Sequence, residues 1–253
     1  MRIAVAGGTG VAGRYTVMAA REAGHDVVVL ARARGVDVVT GTGLAEALDG
    51  VDVVVDTLNA GTAMNRDRAT TFFVEAARNL QLHGAMAGVH RIVVLSIVGV
   101  DRVPGFAYYR AKLAHEAAAR SGSVPVSVLR ATQFHEFAGQ MLDRASLGPV
   151  AAVPSMWIRP VAARTVGHRL VEVATASEAG DGTWTELAGP EETGLVDLAR
   201  RTARCRKVHR IVVPVHLPGE AGRALRGGAL LPGPDAVVAG PGPDEWLASD
   251  DAA

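Results

Sequence analysis

The glycine-rich segment that follows the first apolar run constrains the fold more than any other part of this sequence. The run Ile3–Ala6 leads directly into GGTGVAGR, after which a helical pattern begins. Glycines at this spacing permit a tight turn, close approach of a diphosphate to the backbone, and close packing of the helix on the strand. Free N–H groups at the start of such a helix bind an anionic diphosphate. The segment therefore predicts a dinucleotide site formed by Gly7, Thr9, Gly10, Val11, Ala12 and Gly13.

Short apolar runs alternate with helical patterns through residue 147. Runs such as VDVVVD and RIVVLS are typical of parallel strands covered on both faces. Their alternation with helices indicates right-handed βαβ units in a doubly wound sheet. The predicted strands are Ile3–Ala6, Asp26–Leu30, Val36–Val39, Val51–Thr57, Arg91–Ser96 and Val126–Arg130. The predicted helices are Val11–Ala23, Leu44–Leu48, Ala63–Leu82, Tyr108–Arg120 and Phe134–Leu147.

Beyond residue 147 the pattern is looser. PVAAVPSMWIRPV is typical of extended chain, ARTVGHRLVEVATA of a helix, and TWTELAG and RIVVPV of short strands, before a Gly- and Pro-rich end that indicates loops with brief helices. We expect one domain over residues 1–253, with 1–147 as the nucleotide-binding part and 148–253 as a mixed cap that also completes the sheet. The predicted fold class is α/β, a Rossmann-type doubly wound parallel sheet with a small C-terminal substrate-capping region.

Composition narrows the classes of partner. The 26 Lys and Arg balance the 26 Asp and Glu, so the charge gives no reason to expect nucleic acid or a membrane surface. No apolar run reaches the ~18–20 residues of a membrane span, and the chain begins without signal-peptide features. The single cysteine, Cys205, fits a reducing compartment. We expect a cytoplasmic monomer or homodimer that acts on a small molecule. We expect no metal, because His135 and Glu136 lack the second histidine of a zinc motif.

The end of the second predicted strand bears on the choice of nucleotide. Many NAD sites place an acidic residue there to bind the ribose 2′-hydroxyl. This chain has Arg32 and Arg34 instead, and no acid. A guanidinium suits a 2′-phosphate by its charge and its planar fork of donors, whereas the alternative is a pair of solvated arginines. We therefore expect NADP(H) rather than NAD(H), flanked by Thr57 and Leu58 where the fourth predicted strand ends.

The segment YYRAK brings together two rare residue types. The chain has three tyrosines and two lysines, and Tyr108 and Lys112 are four residues apart on one predicted helix face. A nearby ammonium lowers the pKa of a phenol from its ordinary value of about 10. We expect Tyr108 to donate a proton, Lys112 to support it and hold a ribose, and Ser96 to contact a substrate carbonyl. The alternative for Tyr108 is an aromatic residue buried in the core, and the alternative for Lys112 is a solvated cation. Tyr109 points about 100° away from Tyr108 around the helix and is interpreted as a packing residue or part of the cleft wall.

The segments GGTGVAGR, LSIVGVD, YYRAK and LRATQFHEF resemble those of atypical short-chain dehydrogenases/reductases of the NmrA-like NAD(P)-binding group. The resemblance implies a Rossmann-type sheet, a pyridine nucleotide and a substrate cleft roofed by the C-terminal region. It assigns the three glycines to the diphosphate, Arg32 to the 2′-phosphate, and Tyr108 with Lys112 to a Tyr-x-x-x-Lys pair. It also implies that the segment containing Gln133 runs beside the nicotinamide.

The chain departs from this family in one place. Members with a full catalytic set often have further serines after the fifth strand, whereas Ile97 follows Ser96 here. Many members lack the tyrosine, and some are redox sensors without turnover. The sequence therefore leaves three alternatives. The first is an NADP(H)-dependent oxidoreductase that reduces a carbonyl or quinone-like small molecule; the second is a non-catalytic NADP(H) sensor; the third, less favoured, is a sugar-nucleotide epimerase or dehydratase. The predicted substrate contacts are Phe134, His135 and Trp157.

Overall fold

A computed structural model of the chain describes residues 1–60, 66–144, 146–177 and 184–252. The strands are β1 Arg2–Ala6, β2 Asp26–Leu30, β3 Val53–Asp56, β4 Arg91–Ile97, β5 Val126–Ala131, β6 Ser146–Leu147, β7 Val150–Pro154, β8 Trp157–Ile158, β9 Trp184–Ala188, β10 Thr193–Gly194, β11 Ile211–Val215 and β12 Val237–Val238. The α-helices are α1 Val11–Glu22, α2 Leu44–Ala47, α3 Arg66–Met86, α4 Ala107–Arg120, α5 Glu136–Arg144, α6 Ala163–Thr175, α7 Leu195–Cys205, α8 Gly219–Arg226 and α9 Pro243–Leu247.

Seven strands form one sheet in the order β12-β9-β5-β4-β3-β1-β2. β1 lies between β2 and β3 and runs parallel to both, with Ala6 opposite Leu30 on one side and Asp56 on the other. Because these strands are parallel, each chain crossover passes through a helix before the next strand begins. The predicted α/β, Rossmann-type parallel sheet is confirmed.

One predicted strand is wrong. Residues Val36–Val39 form turns, with only a single bridge from Asp37 to Thr42. The Asp37 carboxylate accepts a hydrogen bond from the Val39 N–H at 2.9 Å, a local turn that competes with strand pairing. Val36 and Val38 are nevertheless buried, which explains the apolar pattern. The strand predicted as the fourth is therefore β3.

The predicted helices exist, with shifted ends. α3 continues to Met86 rather than Leu82, and its predicted start at Ala63 lies outside the described residues. α5 is shorter than predicted, spanning Glu136–Arg144. No described helix is both long and apolar enough to cross a membrane.

The chain forms two compact units. The first comprises residues 1–96, 107–130 and 166–185. In it, Ile3–Ala6 of β1 and all of β3 are buried, as expected for strands covered on both faces. Ala76 and Leu80 of α3 pack in the same core cluster as Ala4 of β1. Burial of a side chain such as Leu80 contributes roughly 1.5–3 kcal/mol, so this core fixes the strand ends that carry the candidate site.

The second unit comprises residues 97–106, 131–165 and 186–253. It contains a three-stranded sheet in the order β11-β7-β6 and the short pair β8–β10. Its α7 was not predicted, although its buried residues recur at helical spacing. They are Leu195, Leu198, Ala199, Thr202 and Ala203. The prediction of one domain divided near residue 147 stays a prediction.

Candidate nucleotide site

The glycine loop between β1 and α1 requires glycine at two of its positions, Gly7 and Gly13. Gly7 has φ +74°, in the left-handed region that favours glycine, and a Cβ there would lie 3.1 Å from the carbonyl carbon of Thr57. A Cβ on Gly13 would lie 2.1 Å from the Gly7 carbonyl oxygen, closer than any packing allows. The loop therefore needs glycine at the first position for conformation and at the third for helix–strand packing, as its spacing predicted.

The start of α1 presents backbone donors. Its N-cap is Gly10, in extended conformation and with no side chain to cap the first turn. The first N–H groups of a helix have no intrahelical acceptor, and the helix dipole makes this end positive. Thr9 and Gly10 are exposed and Val11 is half-buried, while Ala12 and Gly13 are buried. The residues present therefore fit a diphosphate at this end of the helix.

The end of β3 holds the loop in place. The Thr57 hydroxyl donates to the Ala6 carbonyl at 2.7 Å, and the Thr57 N–H donates to the same oxygen at 3.0 Å. The next N–H, of Leu58, donates to the Asp56 carboxylate at 3.0 Å. The predicted flanking position of Thr57 and Leu58 therefore coincides with the wall of the glycine loop, although the Thr57 hydroxyl is already bonded to Ala6.

Arg32 and Arg34 lie in a 3-10 turn directly after β2. Both are exposed, and no described residue forms a hydrogen bond or ion pair with either side chain. Because β2 pairs with β1, this turn lies at the same sheet edge as the glycine loop. Two guanidinium groups are thus available there for an anion.

Tyr108, in the first turn of α4, donates a hydrogen bond from its hydroxyl to the Asn59 side-chain oxygen at 3.1 Å. Burial raises the pKa of Tyr108 to about 12. The expected lowering of this pKa by Lys112 is therefore wrong for this structure, since burial is the cause that acts on Tyr108. Tyr109 packs edge-on against Tyr108, with ring centroids 6.0 Å apart, in keeping with its interpretation as a packing residue.

Lys112 belongs to a buried network. Its ammonium donates to the Leu95 carbonyl at 2.8 Å and lies 2.9 Å from His115 Nδ1. It also lies 4.7 Å from the centroid of the Phe73 ring, a cation–π contact. Lys112 is only 3% exposed, and burial lowers its pKa to about 8 against the opposing charges of Asp56 and Glu116.

His115 links this lysine to the end of β3. Its Nε2 lies 2.8 Å from the Asp56 carboxylate, and both side chains are buried. Since Nδ1 must accept from the Lys112 ammonium, Nε2 carries the proton and donates to Asp56. Burial and the charge of Lys112 lower the pKa of His115, so the ring is neutral. Burial would raise the pKa of Asp56, but His115 and Lys112 hold it below its usual value. The three residues thus carry one positive and one negative charge, joined through a neutral imidazole.

Ser96 lies at a second buried cluster, beside Glu116. Arg130 donates to the Glu116 carboxylate at 3.1 and 2.9 Å, a two-pronged ion pair. Burial would raise the pKa of Glu116, but the Arg130 hydrogen bonds and the nearby Ser96 hydroxyl hold it low. Ser96 is only 3% exposed, and its hydroxyl does not reach hydrogen-bond geometry with any described residue. The Ser96 hydroxyl is therefore not exposed for the predicted contact with a substrate carbonyl.

The remaining predicted residues belong to the second unit. His135 is fully buried, stacked on Trp246 at 5.1 Å between centroids, and its Nε2 donates to the Pro241 carbonyl at 3.2 Å. Burial lowers the pKa of His135 to about 4, so it is a neutral packing residue. The backbone of Phe134 forms an isolated parallel β-bridge with that of Val161.

Gln133 and Trp157 have different surroundings within that unit. The Gln133 carbonyl accepts from the Val161 N–H at 3.0 Å, while its side-chain oxygen is buried and has no hydrogen-bond partner among the described residues. Trp157 is 51% exposed and, with Met156, lines a cavity of about 430 Å³. An exposed indole beside a cavity can contact a ligand, which His135 in its stacked position does not offer.

The sequence reasoning missed Asp56, His115 and Asn59. Asp56 could have been found as an acid at the end of a strand whose other residues are all apolar. His115 follows Lys112 by three residues, so a helix places both on one face. Asn59 gives no comparable signal, because only the fold brings it to Tyr108. No three described His, Cys, Asp or Glu residues are grouped to hold a metal ion.

Comparison with known proteins establishes the fold. The sequence matches no protein-family model and no curated protein. Among solved structures it is similar to MoeE5 in complex with UDP-glucuronic acid and NAD, with a TM-score of 0.75, 17% identity, and coverage of 99% of this chain and 98% of that one. It is also similar to a short-chain dehydrogenase/reductase superfamily protein from Agrobacterium tumefaciens with bound NAD, with a TM-score of 0.69, 20% identity, and coverage of 98% and 95%.

A third similar structure is the triphenylmethane reductase of a Citrobacter species, with a TM-score of 0.66, 16% identity, and coverage of 93% and 92%. All three share the architecture over nearly the whole chain at low identity. The similarity therefore extends from the glycine loop through the C-terminal region, and it concerns the fold.

Proposed function

We propose that this protein is an NADP(H)-dependent oxidoreductase of the short-chain dehydrogenase/reductase type that reduces a carbonyl or quinone-like small molecule. The observation that carries the proposal is the glycine loop, where Gly7 and Gly13 admit no Cβ and the α1 donors are left uncapped. Such a loop after the first strand of a parallel sheet is suited to a diphosphate-bridged nucleotide. The similar structures that contain NAD support a pyridine nucleotide.

The exposed arginines after β2 support NADP(H) over NAD(H). No described acidic residue pairs with Arg32 or Arg34. A 2′-phosphate would supply the negative charge that these guanidinium groups lack. Membership of the NmrA-like group is part of this proposal, on the sequence resemblance alone.

In the proposed reaction the nucleotide supplies a hydride, and the chain supplies a proton. The raised pKa of Tyr108 keeps its phenol protonated at neutral pH. A protonated phenol can donate to the oxygen of a carbonyl as that oxygen gains charge, and the phenolate so formed is the base for the reverse reaction. Asn59 holds the Tyr108 hydroxyl and would release it to the substrate oxygen.

Lys112 contributes to this site by position. Through His115 and Asp56 it ties α4, which carries Tyr108, to the end of β3, which forms the wall of the glycine loop. A ribose contact by Lys112 remains part of the proposal and would require its ammonium to exchange the Leu95 carbonyl for a ribose hydroxyl. The carbonyl contact of Ser96 likewise remains a proposal that requires its hydroxyl to leave the Glu116 cluster.

The Tyr108→Phe variant tests the chemistry. Loss of a general acid lowers turnover by about 100-fold or more, so we expect at least that loss in NADPH oxidation across a panel of carbonyl, quinone and sugar-nucleotide substrates. Tyr109→Phe is the matched control and should keep most activity. Equal turnover by Tyr108→Phe and the unaltered protein would refute the proton-donor role.

Arg32→Ala tests the nucleotide. We expect NADPH affinity, measured by fluorescence titration, to fall about tenfold or more while NADH affinity changes little, because only NADPH carries the 2′-phosphate. Arg21→Ala removes another exposed arginine and serves as the control. Equal losses for the two nucleotides would remove Arg32 from the site.

A non-catalytic NADP(H) sensor is the second candidate, and the position of Lys112 favours it. The Lys112 ammonium is bonded to the Leu95 carbonyl and to His115, contacts that a protein without turnover can keep. NADPH binding without oxidation on any substrate of the panel would select the sensor. The MoeE5 complex with UDP-glucuronic acid is the reason to include sugar nucleotides in the panel.

A further inference from the structure

The second unit contains a strongly basic cavity that the proposed function does not use. It has a volume of about 460 Å³ and lies where α7 ends and the chain leads into β11. Four Arg and Lys side chains line it, and no carboxylate does. They are Arg200, Arg204, Lys207 and Arg210. Val208 and Val212 add an apolar part to the lining.

Only some of these cations are engaged by the protein. Arg200 pairs with Asp197 at 3.3 Å, and Arg210 donates to the Gly148 carbonyl. Arg204 and Lys207 are exposed, and no described residue forms a hydrogen bond or ion pair with either side chain. Two cations are therefore directed at solvent in a cavity that already holds two others.

Lys207 has an unusual backbone. Its φ is +53°, and it is the one non-glycine residue of the described chain in the left-handed region. It follows the C-cap of α7, where the Val208 N–H donates to the Ala203 carbonyl at 2.9 Å and the Lys207 N–H to Arg204 at 3.1 Å. Helices that end in this way commonly place glycine at the position of Lys207, because a Cβ is strained there.

Helix capping does not explain this choice of residue. A cation near the C-terminus of a helix interacts favourably with its dipole, but Arg204 in the last turn already provides one without strain. The chain has 29 glycines and only two lysines, so a lysine at a glycine position is a costly exception. Arg200 and Arg204 are also four residues apart, and like charges at that spacing repel each other.

Three features that lower stability thus occur at one cavity: cations without a described partner, the left-handed backbone of Lys207, and the repulsion between Arg200 and Arg204. Unfavourable features that cluster in this way are expected of a ligand site. We propose that this cavity binds the phosphoryl group of an organic phosphate, with the guanidinium groups and Lys207 as its charge partners and Val208 and Val212 against the organic part. Arginine suits phosphate because its fork of donors matches two phosphate oxygens. The proposal is independent of the proposed oxidoreductase activity, and the phosphoryl group can come from a soluble metabolite or a lipid headgroup.

Calorimetric titration with inorganic pyrophosphate tests the soluble source, and co-sedimentation with phosphatidic acid vesicles, against phosphatidylcholine vesicles, tests the lipid source. Lys207→Gly is the informative variant, because glycine relieves the backbone strain. We expect its melting temperature to rise by about 1–4 °C while its affinity for the bound probe falls at least tenfold. Arg204→Ala should lose affinity to a similar extent.

Arg223→Ala, which removes an exposed arginine of α8 outside the cavity, is the matched control and should bind normally. Pyrophosphate bound at the glycine loop of the first unit would be unaffected by Lys207→Gly, so the variant separates the two sites. Binding of neither probe, or equal binding by Lys207→Gly and the unaltered protein, would overturn the proposal. Binding of vesicles alone that depends on Lys207 would assign the phosphoryl group to a lipid.

Discussion

Helix α4 contributes to two clusters of buried charged side chains, which differ in how far solvent reaches them. Lys112 and His115 reach Asp56 at the end of β3, and all three side chains are almost completely removed from solvent. Glu116, one residue further, pairs with Arg130, which also lies 4.7 Å over the half-exposed Trp184 ring, and with Arg120, whose side chain is 32% exposed. The first cluster is sealed, whereas the second reaches the surface.

This difference determines what each cluster can tolerate. A charge left alone in a sealed site keeps its full desolvation cost, because water cannot replace the lost partner. At Glu116 a remaining arginine can turn toward water or stay stacked on an aromatic ring. The sealed cluster therefore acts as a rigid tie between α4 and the glycine loop, and the open one stabilises without fixing geometry so strictly.

Asp56→Ala tests the sealed cluster and should have the largest effect. It leaves Lys112 and His115 without an anion, so we expect a loss of about 3–5 kcal/mol in the free energy of unfolding, measured by urea denaturation. Asp197→Ala, which removes an exposed acid from its pair with Arg200, should change it by less than about 1 kcal/mol. Comparable losses in the two variants would mean that the cluster is solvated.

Glu116→Gln tests the open cluster. The amide keeps one hydrogen-bond acceptor for Arg130, and Trp184 still covers its guanidinium. We expect a loss of about 1–3 kcal/mol, smaller than for Asp56→Ala in the same urea experiment. A loss as large as that of Asp56→Ala would contradict the contrast between the clusters.

The pH dependence of stability isolates Lys112. Its pKa in the folded protein, about 8, lies below the ordinary 10.5, so the unfolded chain binds more protons between these values. Stability should therefore rise with pH from about 8 to 10, by at most about 1.4 kcal/mol per unit. Above pH 10 the raised pKa of Tyr108 acts in the opposite direction, because the unfolded chain then loses a proton that the folded one keeps.

Lys112→Met should lack the rise between pH 8 and 10, whatever its absolute stability. Urea denaturation of both proteins at pH 7, 8, 9 and 10 makes this comparison. A rise that persists in Lys112→Met would assign it to another group.

The parts of the site that local sequence determines were predictable. Gly7 and Gly13 could be placed because the turn and the helix packing that demand glycine lie within a few residues. Val36–Val39 was misassigned because an apolar pattern does not show that the Asp37 carboxylate will bond the backbone two residues on. Each of these outcomes rests on interactions over short stretches of chain.

The partner of Lys112 was not predictable in the same way. His115 shares its helix face, but Asp56 is 59 residues away from His115 in sequence and joins it only when α4 packs against the sheet. α4 contains both Tyr108 and Lys112, as predicted, yet their spacing cannot show that the Lys112 ammonium will lie against a buried histidine. A pKa depends on burial and on all neighbouring charges, so its direction at Tyr108 required the fold.

The hydrogen bond from the Thr57 hydroxyl to Ala6 has a consequence for how this protein can change over evolution. A side chain there supplies the donor that fastens β3 to β1 at the last residue of β1. A Cβ on Gly7 would lie 3.2 Å from the Leu58 N, so the constraint on this stretch of chain extends through the Leu58 backbone. A substitution that removes the Thr57 hydroxyl would therefore loosen the strand end and the wall of the glycine loop together, so the two regions are expected to vary together.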